Sequence, residues 1–437
     1  MTDVCVVGLG KIGLPLACAI ARGGHRVRGA DIDERAVAAV NAAIEPFPGE
    51  AGLADALTEV VTDGRLTATT TTQEAVRQSS VVIIVVPLVV DEAANPDFRA
   101  MDAATTAVAE ALVADTLVCY ETTLPVGTTR HRFEPALRAG SSLGPDDAIH
   151  VIHSPERVFS GRIFSDLRQY PKLVGGVDAE STRRGVEFYE SFLEFDERDD
   201  LDRPNGVWSL GSVEAAEMAK LAETTYRDLN IAFANQLAMA AEALGVDVHA
   251  VISACNSQPF SHIHRPGVAV GGHCIPVYPH FLISSAPGMT LPALGREVNA
   301  TMPHHVVDGV DRALGGLGER RVVVLGASYR GGVKEHAFSG VFALVTELEK
   351  RGASVTVVDP LYTDAELDQL GLRAHAAGDS ADAVVLHTEH EVFGSLGPAD
   401  FPGVGLVYDG RAFLDPAAWS PVPVICIGRP ASSTPQE

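Results

Sequence analysis

Apolar residues fall into short unbroken runs separated by glycine-rich or acidic turns, with helix-spaced stretches between the runs. Val4-Cys5-Val6-Val7 is the first run. Gly8-Leu9-Gly10-Lys11-Ile12-Gly13 follows at once, and residues 14–21 carry apolar positions at helical spacing. A second run over residues 25–30 ends in Asp31, and others cover residues 80–86, 116–120 and 150–152. Such runs, alternating with helical segments, predict parallel strands buried on both faces. Residues 213–244 contain neither Gly nor Pro, and Met218, Leu221, Ala222, Leu229, Ile231, Ala232, Leu237 and Ala238 recur at three- and four-residue steps. They predict one helix about 45 Å long. Beyond it, residues 321–325 lead into Gly326-Ala327-Ser328-Tyr329-Arg330-Gly331-Gly332, and residues 354–358 end in Asp359. Runs over 383–386 and 405–408 follow, the latter ending in Asp409-Gly410-Arg411. This loosely repeats the plan of residues 4–31. The expectation is an α/β protein: two Rossmann-like doubly wound domains joined by a long central helix, divided as 1–205, 206–305 and 306–437.

Composition narrows the partners. A formal charge of -24 over 437 residues argues against nucleic acid bound through its phosphates. An anionic ligand would instead need local backbone donors. The six cysteines form no CxxC pair and no disulfide framework, and three of them read as core. No signal peptide and no apolar run of about 20 residues is visible, so a cytoplasmic protein with no membrane partner is expected.

Candidate chemistry sits in the turns. After the first strand, Gly8 allows a tight turn, Gly10 lets backbone approach a pyrophosphate, and Gly13 allows close helix packing. Lys11 and Ile12 share that turn. Asp31, eighteen residues after Gly13, suits a ribose hydroxyl and repels a 2′-phosphate, which favours NAD over NADP. Pro87 closes the run over 80–86 on the cofactor side. Thr123 lies just past the strand 116–120, where ligands of open sheets bind; a cap for the helix after Thr128 explains the same threonines equally well. Glu156 reads as a general base or as the partner of Arg157, and spacing favours the pair. Lys220 and Thr224 share a helix face, where a solvent-exposed lysine is the default. Gly271-Gly272-His273-Cys274-Ile275-Pro276 holds a thiol in a restricted loop, as a nucleophile would need. His262, His264 and His273 lie near the thiol, but the glycines and Pro266 point to loop geometry, so no metal is expected. The second glycine turn lacks the full fingerprint, which suits the mononucleotide part of a substrate bound facing the first domain.

Together these segments resemble the UDP-glucose/GDP-mannose dehydrogenase family. Gly8 to Gly13 with Asp31, Leu124-Pro125-Val126-Gly127, Ser154-Pro155-Glu156-Arg157-Val158, Lys220-Leu221-Ala222-Glu223 and Gly271 to Pro276 occur in family order. Gly161-Arg162 and Pro266-Gly267 look like the branch acting on UDP-N-acetylhexosamines. The resemblance implies oxidation of a sugar C6 alcohol to a carboxylate with two NAD+. Cys274 would form a thiohemiacetal and then a thioester, and Lys220 would stabilise the oxyanion. Glu156 would activate the hydrolytic water, Thr123 would position water or substrate, and Thr224 would donate to the oxyanion. Arg157, Arg265, Gly271, Tyr329, Arg330 and Arg411 would join Glu156 and Lys220 around the nucleotide sugar. The first domain would hold NAD, the last the UDP moiety, and the central helix would build a homodimer.

Departures from the family pattern cluster. Thr224 stands for the usual Asn, Tyr278 for an acid four residues after the cysteine, Pro87-Leu88-Val89 for Pro-Thr-Pro, and Ala337 for an arginine, with Lys334 or Arg330 as possible substitutes. A phenol is a poor base at neutral pH. Two alternatives therefore stay open at this stage: an enzyme that stops at the aldehyde or epimerises without net redox change, and a non-catalytic nucleotide-binding protein.

Overall fold

The computed structural model describes residues 1–91 and 93–430, so the last seven residues of the irregular tail 429–437 lie outside the described part. The chain forms two compact units, Met1–Glu223 with His280–Ala286, and Thr224–Pro279 with Pro287–Glu437. Among the described residues no helix is long and apolar enough to cross a membrane.

The first unit is built on β1 (Asp3–Val7), β2 (Arg26–Ala30), β3 (Leu66–Thr69) and β4 (Val81–Ile84). A short ribbon, β5 (Val89–Val90) with β6 (Pro96–Asp97), precedes β7 (Thr116–Tyr120), β8 (Ile149–His153), β9 (Lys172–Gly176) and β10 (Val207–Ser209). The sheet order is β3-β2-β1-β4-β7-β8-β9-β10. All neighbours are parallel except β8 and β9. Strand order reverses between β1 and β4, the crevice where doubly wound sheets take ligands. β4 is buried along its whole length, because a parallel sheet covered on both faces leaves no polar side. The helix Gly13–Arg22 covers one face with Leu14, Leu16, Ala17 and Ile20.

The second unit contains a parallel sheet of β11 (Arg321–Leu325), β12 (Ser354–Val358), β13 (Ala383–Leu386), β14 (Leu406–Asp409) and β15 (Val424–Cys426), ordered β12-β11-β13-β14-β15. Its core joins Val322, Val324 and Val385 to Val341, Leu344 and Leu348, and to Met302, Val306 and Val310 of the helix Thr290–Leu314. The doubly wound plan is thus realised twice, as the patterning predicts. Strands β3, β9, β10 and β15 are short or polar at one end and escape the apolar-run criterion. The central helix Val213–Leu244 is continuous over 32 residues. Four cysteines, Cys5, Cys18, Cys119 and Cys426, are buried rather than three.

Both sheets place the same device at their first turn. Gly8 and Gly326 follow β1 and β11 in left-handed backbone, with φ of 96° and 102°. Asp31 at the end of β2 accepts from the Leu9 N–H at 2.7 Å. Asp359 at the end of β12 accepts from the Ala327, Ser328 and Leu361 N–H groups at 2.8–2.9 Å and meets His390 Nε2 at 3.1 Å. Truncating Asp359 leaves three N–H groups without their acceptor, in a place where water enters poorly. Asp359→Ala is expected to destabilise the second unit by about 3–5 kcal/mol, read as a lower urea midpoint. An unchanged midpoint would show that the carboxylate is not what holds the turn.

Candidate active site

The glycine turn of the first unit has space where a cofactor needs it. A Cβ on Gly8 would lie 2.7 Å from the Val85 carbonyl oxygen, and one on Gly13 would lie 1.9 Å from that of Gly8. Glycine at both is demanded by the fold itself. At Gly10 a Cβ would meet nothing within 4 Å, so the open side of the turn is free for a pyrophosphate at the start of the helix Gly13–Arg22. Lys11 is exposed and Ile12 half-buried in the same turn. Asp31 is half-buried, accepting from Leu9 and, at 2.9 Å, from the Asp33 N–H. Pro87 is exposed just beyond β4. These residues fit NAD.

Past the ends of β7 and β8 the chain assembles a buried cluster. Lys172 opens β9, and its ammonium contacts Glu156 Oε1 and lies 3.0 Å from Glu121 Oε2. The Tyr189 hydroxyl donates to the other Glu121 oxygen. Burial pushes the Glu121 carboxyl up, more than Lys172 draws it down. Burial also opposes the Glu156 charge, but Lys172, a hydrogen bond from Glu121 and the field of Lys220 outweigh it and hold that carboxyl low. The expectation that Glu156 pairs with Arg157 fails. Arg157 Nε donates to Glu223 at 2.9 Å, because Glu156 is taken by the buried Lys172 ammonium. Lys220 is not a surface lysine. It is buried, with Nζ 3.4 Å from Glu223. Thr123 is buried beside Thr122, which donates to the Val86 carbonyl at 2.6 Å.

The loops carrying these groups are held by carboxylates far away in sequence. Glu217, one turn before Lys220, accepts from the Gly127 and Thr129 N–H groups at 2.6 and 2.8 Å and from the Thr129 hydroxyl at 2.7 Å. Burial pushes its carboxyl up to about 7. The Thr-rich segment therefore does not cap its own helix; Glu217 does. Glu50 accepts from the Gly161 and Ile163 N–H groups at 2.6 Å each, and Asp166 from that of Phe159 at 2.8 Å, which fixes the segment after Glu156.

In the second unit the thiol of Cys274 is partly exposed on a loop pinned at several points. Gly267 N–H donates to Asn235 at 3.0 Å, Gly272 N–H donates to the Ala337 carbonyl at 2.9 Å, and Arg296 reaches the Ile275 carbonyl at 3.4 Å. Asn235, Asn299, Asp228 and Arg296 form one buried polar chain behind the loop. Gly272 has φ of 90°, and Cβ atoms at Gly271 and Gly272 would come within 2.6 and 3.0 Å of Tyr329. The glycine pair thus lets Tyr329 lie against the thiol loop. His273 Nε2 is 3.2 Å from Glu335. Thr224, one turn after Lys220, is fully buried. Tyr278, in the acid's place, donates its N–H to the Cys274 carbonyl at 2.9 Å and opens the helix Tyr278–Ser285. Arg411 Nε donates to the His387 carbonyl at 2.7 Å, whereas Arg265 and Arg330 are exposed. Lys334 is committed to Glu366 at 2.6 Å and makes a poor stand-in for the missing arginine. Sequence reading misses Lys172, Glu121, Glu217, Glu50 and Arg296. Only Glu121 carries a usable signal, since it ends the strand beside the one that leads to Glu156.

Three models of the UDP-glucose/GDP-mannose dehydrogenase family match this chain: the NAD binding domain over residues 2–193, the central domain over 214–300 and the UDP binding domain over 323–416. The NDP-N-acetyl-D-galactosaminuronic acid dehydrogenase of Ralstonia nicotianae is 33% identical over 408 residues, which are 90% of this chain and 92% of that protein. The UDP-N-acetyl-D-mannosamine dehydrogenase of Pyrococcus horikoshii is 33% identical over 423 residues, 94% of this chain and 96% of the relative. The solved Pyrococcus horikoshii UDP-D-ManNAc dehydrogenase superposes with a TM-score of 0.86 at 30% identity, covering 98% of this chain and 99% of that one.

The glycine turn yields a paired prediction. Gly10→Ala, with open space for its methyl, is expected to keep the urea midpoint yet weaken NAD+ binding at least about tenfold in calorimetry. Gly13→Ala is expected to cost about 3 kcal/mol of stability through the clash with Gly8. Equal NAD+ affinity in Gly10→Ala and the unaltered protein would place the pyrophosphate elsewhere.

Proposed function

The chain belongs to the UDP-glucose/GDP-mannose dehydrogenase family, and from that premise we propose that it oxidises the C6 alcohol of a UDP-N-acetylhexosamine to the uronic acid. It is an NAD-dependent oxidoreductase with a UDP-sugar as substrate. What carries the narrower reading is the joint presence of Cys274, Lys220, Glu156 and Thr123 in a chain that aligns over nine-tenths of its length with enzymes named for N-acetylated sugars.

Each residue has a chemical task. The turn Gly8 to Gly13 and Asp31 would hold NAD+, which would supply the hydride acceptor for each of the two oxidations. Lys220 opposes the negative charge that develops on the C6 oxygen as its proton leaves. The Cys274 thiolate adds to the aldehyde carbon, and loss of a second hydride leaves a thioester. Water then attacks that carbonyl while Glu156 takes one of its protons; the C–S bond breaks, Cys274 departs as thiolate, and the acid ionises. Thr123 orients the water, and the Thr224 hydroxyl supplies a second donor to the oxyanion. Arg157 and Tyr329 contribute to substrate placement, with Gly271 giving the close backbone approach and Arg265, Arg330 and Arg411 reserved for the nucleotide sugar.

The functional division we assign is a cofactor domain over residues 1–205, a central helical dimerisation region over 206–305 and a UDP-binding domain over 306–437. Support for a homodimer comes from apolar side chains left in water on the two long helices: Tyr226 and Phe233 on one, Leu291 and Leu294 on the other, each at least half exposed. A cytoplasmic location fits six cysteines that are all free thiols.

Incubated with NAD+ and UDP-N-acetylmannosamine or its hexosamine epimers, the protein is expected to form two NADH per sugar and a product with the mass of the uronic acid. Cys274→Ala is expected to make no acid. One NADH with an aldehyde product, an isomerised sugar without net NADH, or NAD+ binding with no turnover across the panel would each overturn the full dehydrogenase reading. For the assembly, Tyr226→Asp combined with Phe233→Asp is expected to convert a dimer mass in light scattering to that of one chain; an unchanged mass would remove the central helix from the interface.

A further inference from the structure

Two carboxylates and one ammonium share a site from which water is nearly excluded. Side-chain exposure is 5% for Lys172, 0% for Glu121 and 11% for Glu156. Three further titratable groups beside them carry no charge. Burial keeps the thiol of Cys119 and the phenol of Tyr189 protonated, and it drives the imidazole of His153 down to about 3, hence neutral. Tyr189 adds its ring, 4.7 Å from the Lys172 ammonium, and its hydroxyl, which donates to Glu121. Lys220 approaches Glu156 from the long helix. Glu121 shares Lys172 with Glu156 and receives nothing from Lys220, so its charge is the one left without sufficient compensation in a dry site. A proton on Glu121 removes that cost and gives Glu156 a donor that favours its ionised form. The deeper, fully covered Glu121 is where it rests, which leaves Glu156 ionised at the edge of the cluster.

We propose that Lys172 is a positioning residue for thioester hydrolysis: bridging Glu121 and Glu156, it fixes the Glu156 carboxylate and keeps it ionised, while Glu121 holds the proton of the pair. The inference rests on the reading of Glu156 as the base of the hydrolytic step. In that step Glu156 gains the proton lost by the attacking water, and Lys172 and Glu121 change neither charge nor bonding partner. Because the base must be ionised, activity fails as pH falls through the Glu156 pKa. Removing the neighbouring ammonium raises that pKa, so the acid limb moves to higher pH.

The test uses the full chain with NAD+ and the UDP-sugar it turns over, recording kcat and KM against pH and the acid-quenched protein mass. Lys172→Met is expected to shift the acid limb of kcat upward by about one unit or more, lower kcat at neutral pH at least about tenfold with KM within about threefold, and accumulate the Cys274 thioester. Lys172→Arg is expected to return the limb, since it restores the charge. Glu121→Gln is expected to leave the limb in place, because an amide replaces a group already neutral; a limb displaced by about a unit in that variant would overturn the proton assignment, and this arm decides the matter if Lys172→Met does not fold. If Glu156→Gln traps the thioester while Lys172→Met leaves the limb unmoved, the Lys172 role is wrong and the Glu156 reading stands. If Glu156→Gln hydrolyses at the unaltered rate, the Glu156 reading fails and takes the Lys172 role with it.

Discussion

Most of the turns around the candidate site are fixed by one kind of bond: a carboxylate on a helix, just past a strand or in a neighbouring loop accepts hydrogen bonds from the backbone N–H groups of a turn. Asp31 holds the turn after β1, Glu217 the segment 127–129, Glu50 and Asp166 the segment after Glu156, Asp359 the turn after β11, and Asp409 the turn 411–414. The physical demand is plain. Turns at the carboxyl ends of buried strands carry N–H groups that no ladder satisfies, and each costs about 1–3 kcal/mol if buried without a partner. A charged acceptor with two oxygens satisfies two or three of them at once, with bonds stronger than a neutral carbonyl would make. Part of the acidic excess of this chain thus does structural work exactly where ligands must find a rigid backbone, although it gives the protein a net charge poorly suited to anionic ligands. Local N–H groups and a few buried cations have to do what a general positive field would do elsewhere.

That constraint separates the two families of buried acids. Where a carboxylate mainly answers the backbone N–H groups of a turn, as at Glu217 and Asp359, it sets geometry. Where it answers a buried ammonium, as at Glu121 and Glu156, proton location becomes a variable, because the cations act unequally on the two carboxyls. The distinction follows from donors alone, and it assigns structural and chemical duties to acids that look alike in the sequence.

Legibility followed the range of the interactions. Parallel strands are read from runs such as Val81–Ile84 because burial on both faces leaves only apolar residues. The glycine turns are read because sterics within a few residues demand them, as the 1.9 Å approach at Gly13 shows. The partners of the site residues are another matter. Lys172 lies 51 residues from Glu121 in sequence, Glu217 88 from Thr129, and Glu50 113 from Ile163. Nothing local distinguishes a lysine that opens a buried strand from one that faces water, so the sequence marks neither the role of Lys172 nor the burial of Lys220. The Glu156–Arg157 pairing fails for the converse reason: each side chain has a partner far away in sequence, Lys172 for one and Glu223 for the other, and adjacency does not outweigh them.

The departures from the family pattern bear on the same division of labour. At position 278 a tyrosine replaces the acid expected near the thiol, and its visible contribution is a backbone N–H on the Cys274 carbonyl together with the start of a helix. Any residue except proline supplies that bond, so the geometry of the loop survives the exchange while a negative charge does not. A phenol offers no anion near neutral pH, which leaves Glu156 as the one carboxylate among the proposed catalytic residues. A reaction that needs a base for water then depends on the state of a single side chain, and the charge balance around it matters more than it would with a second acid at hand. Thr224 makes the parallel case for donors: it is buried and retains a hydroxyl where an amide is usual, so it keeps one donor and gives up the amide's second. Both exchanges thin out the polar groups, which concentrates the proposed chemistry on Cys274, Lys220 and the carboxylate held by Lys172.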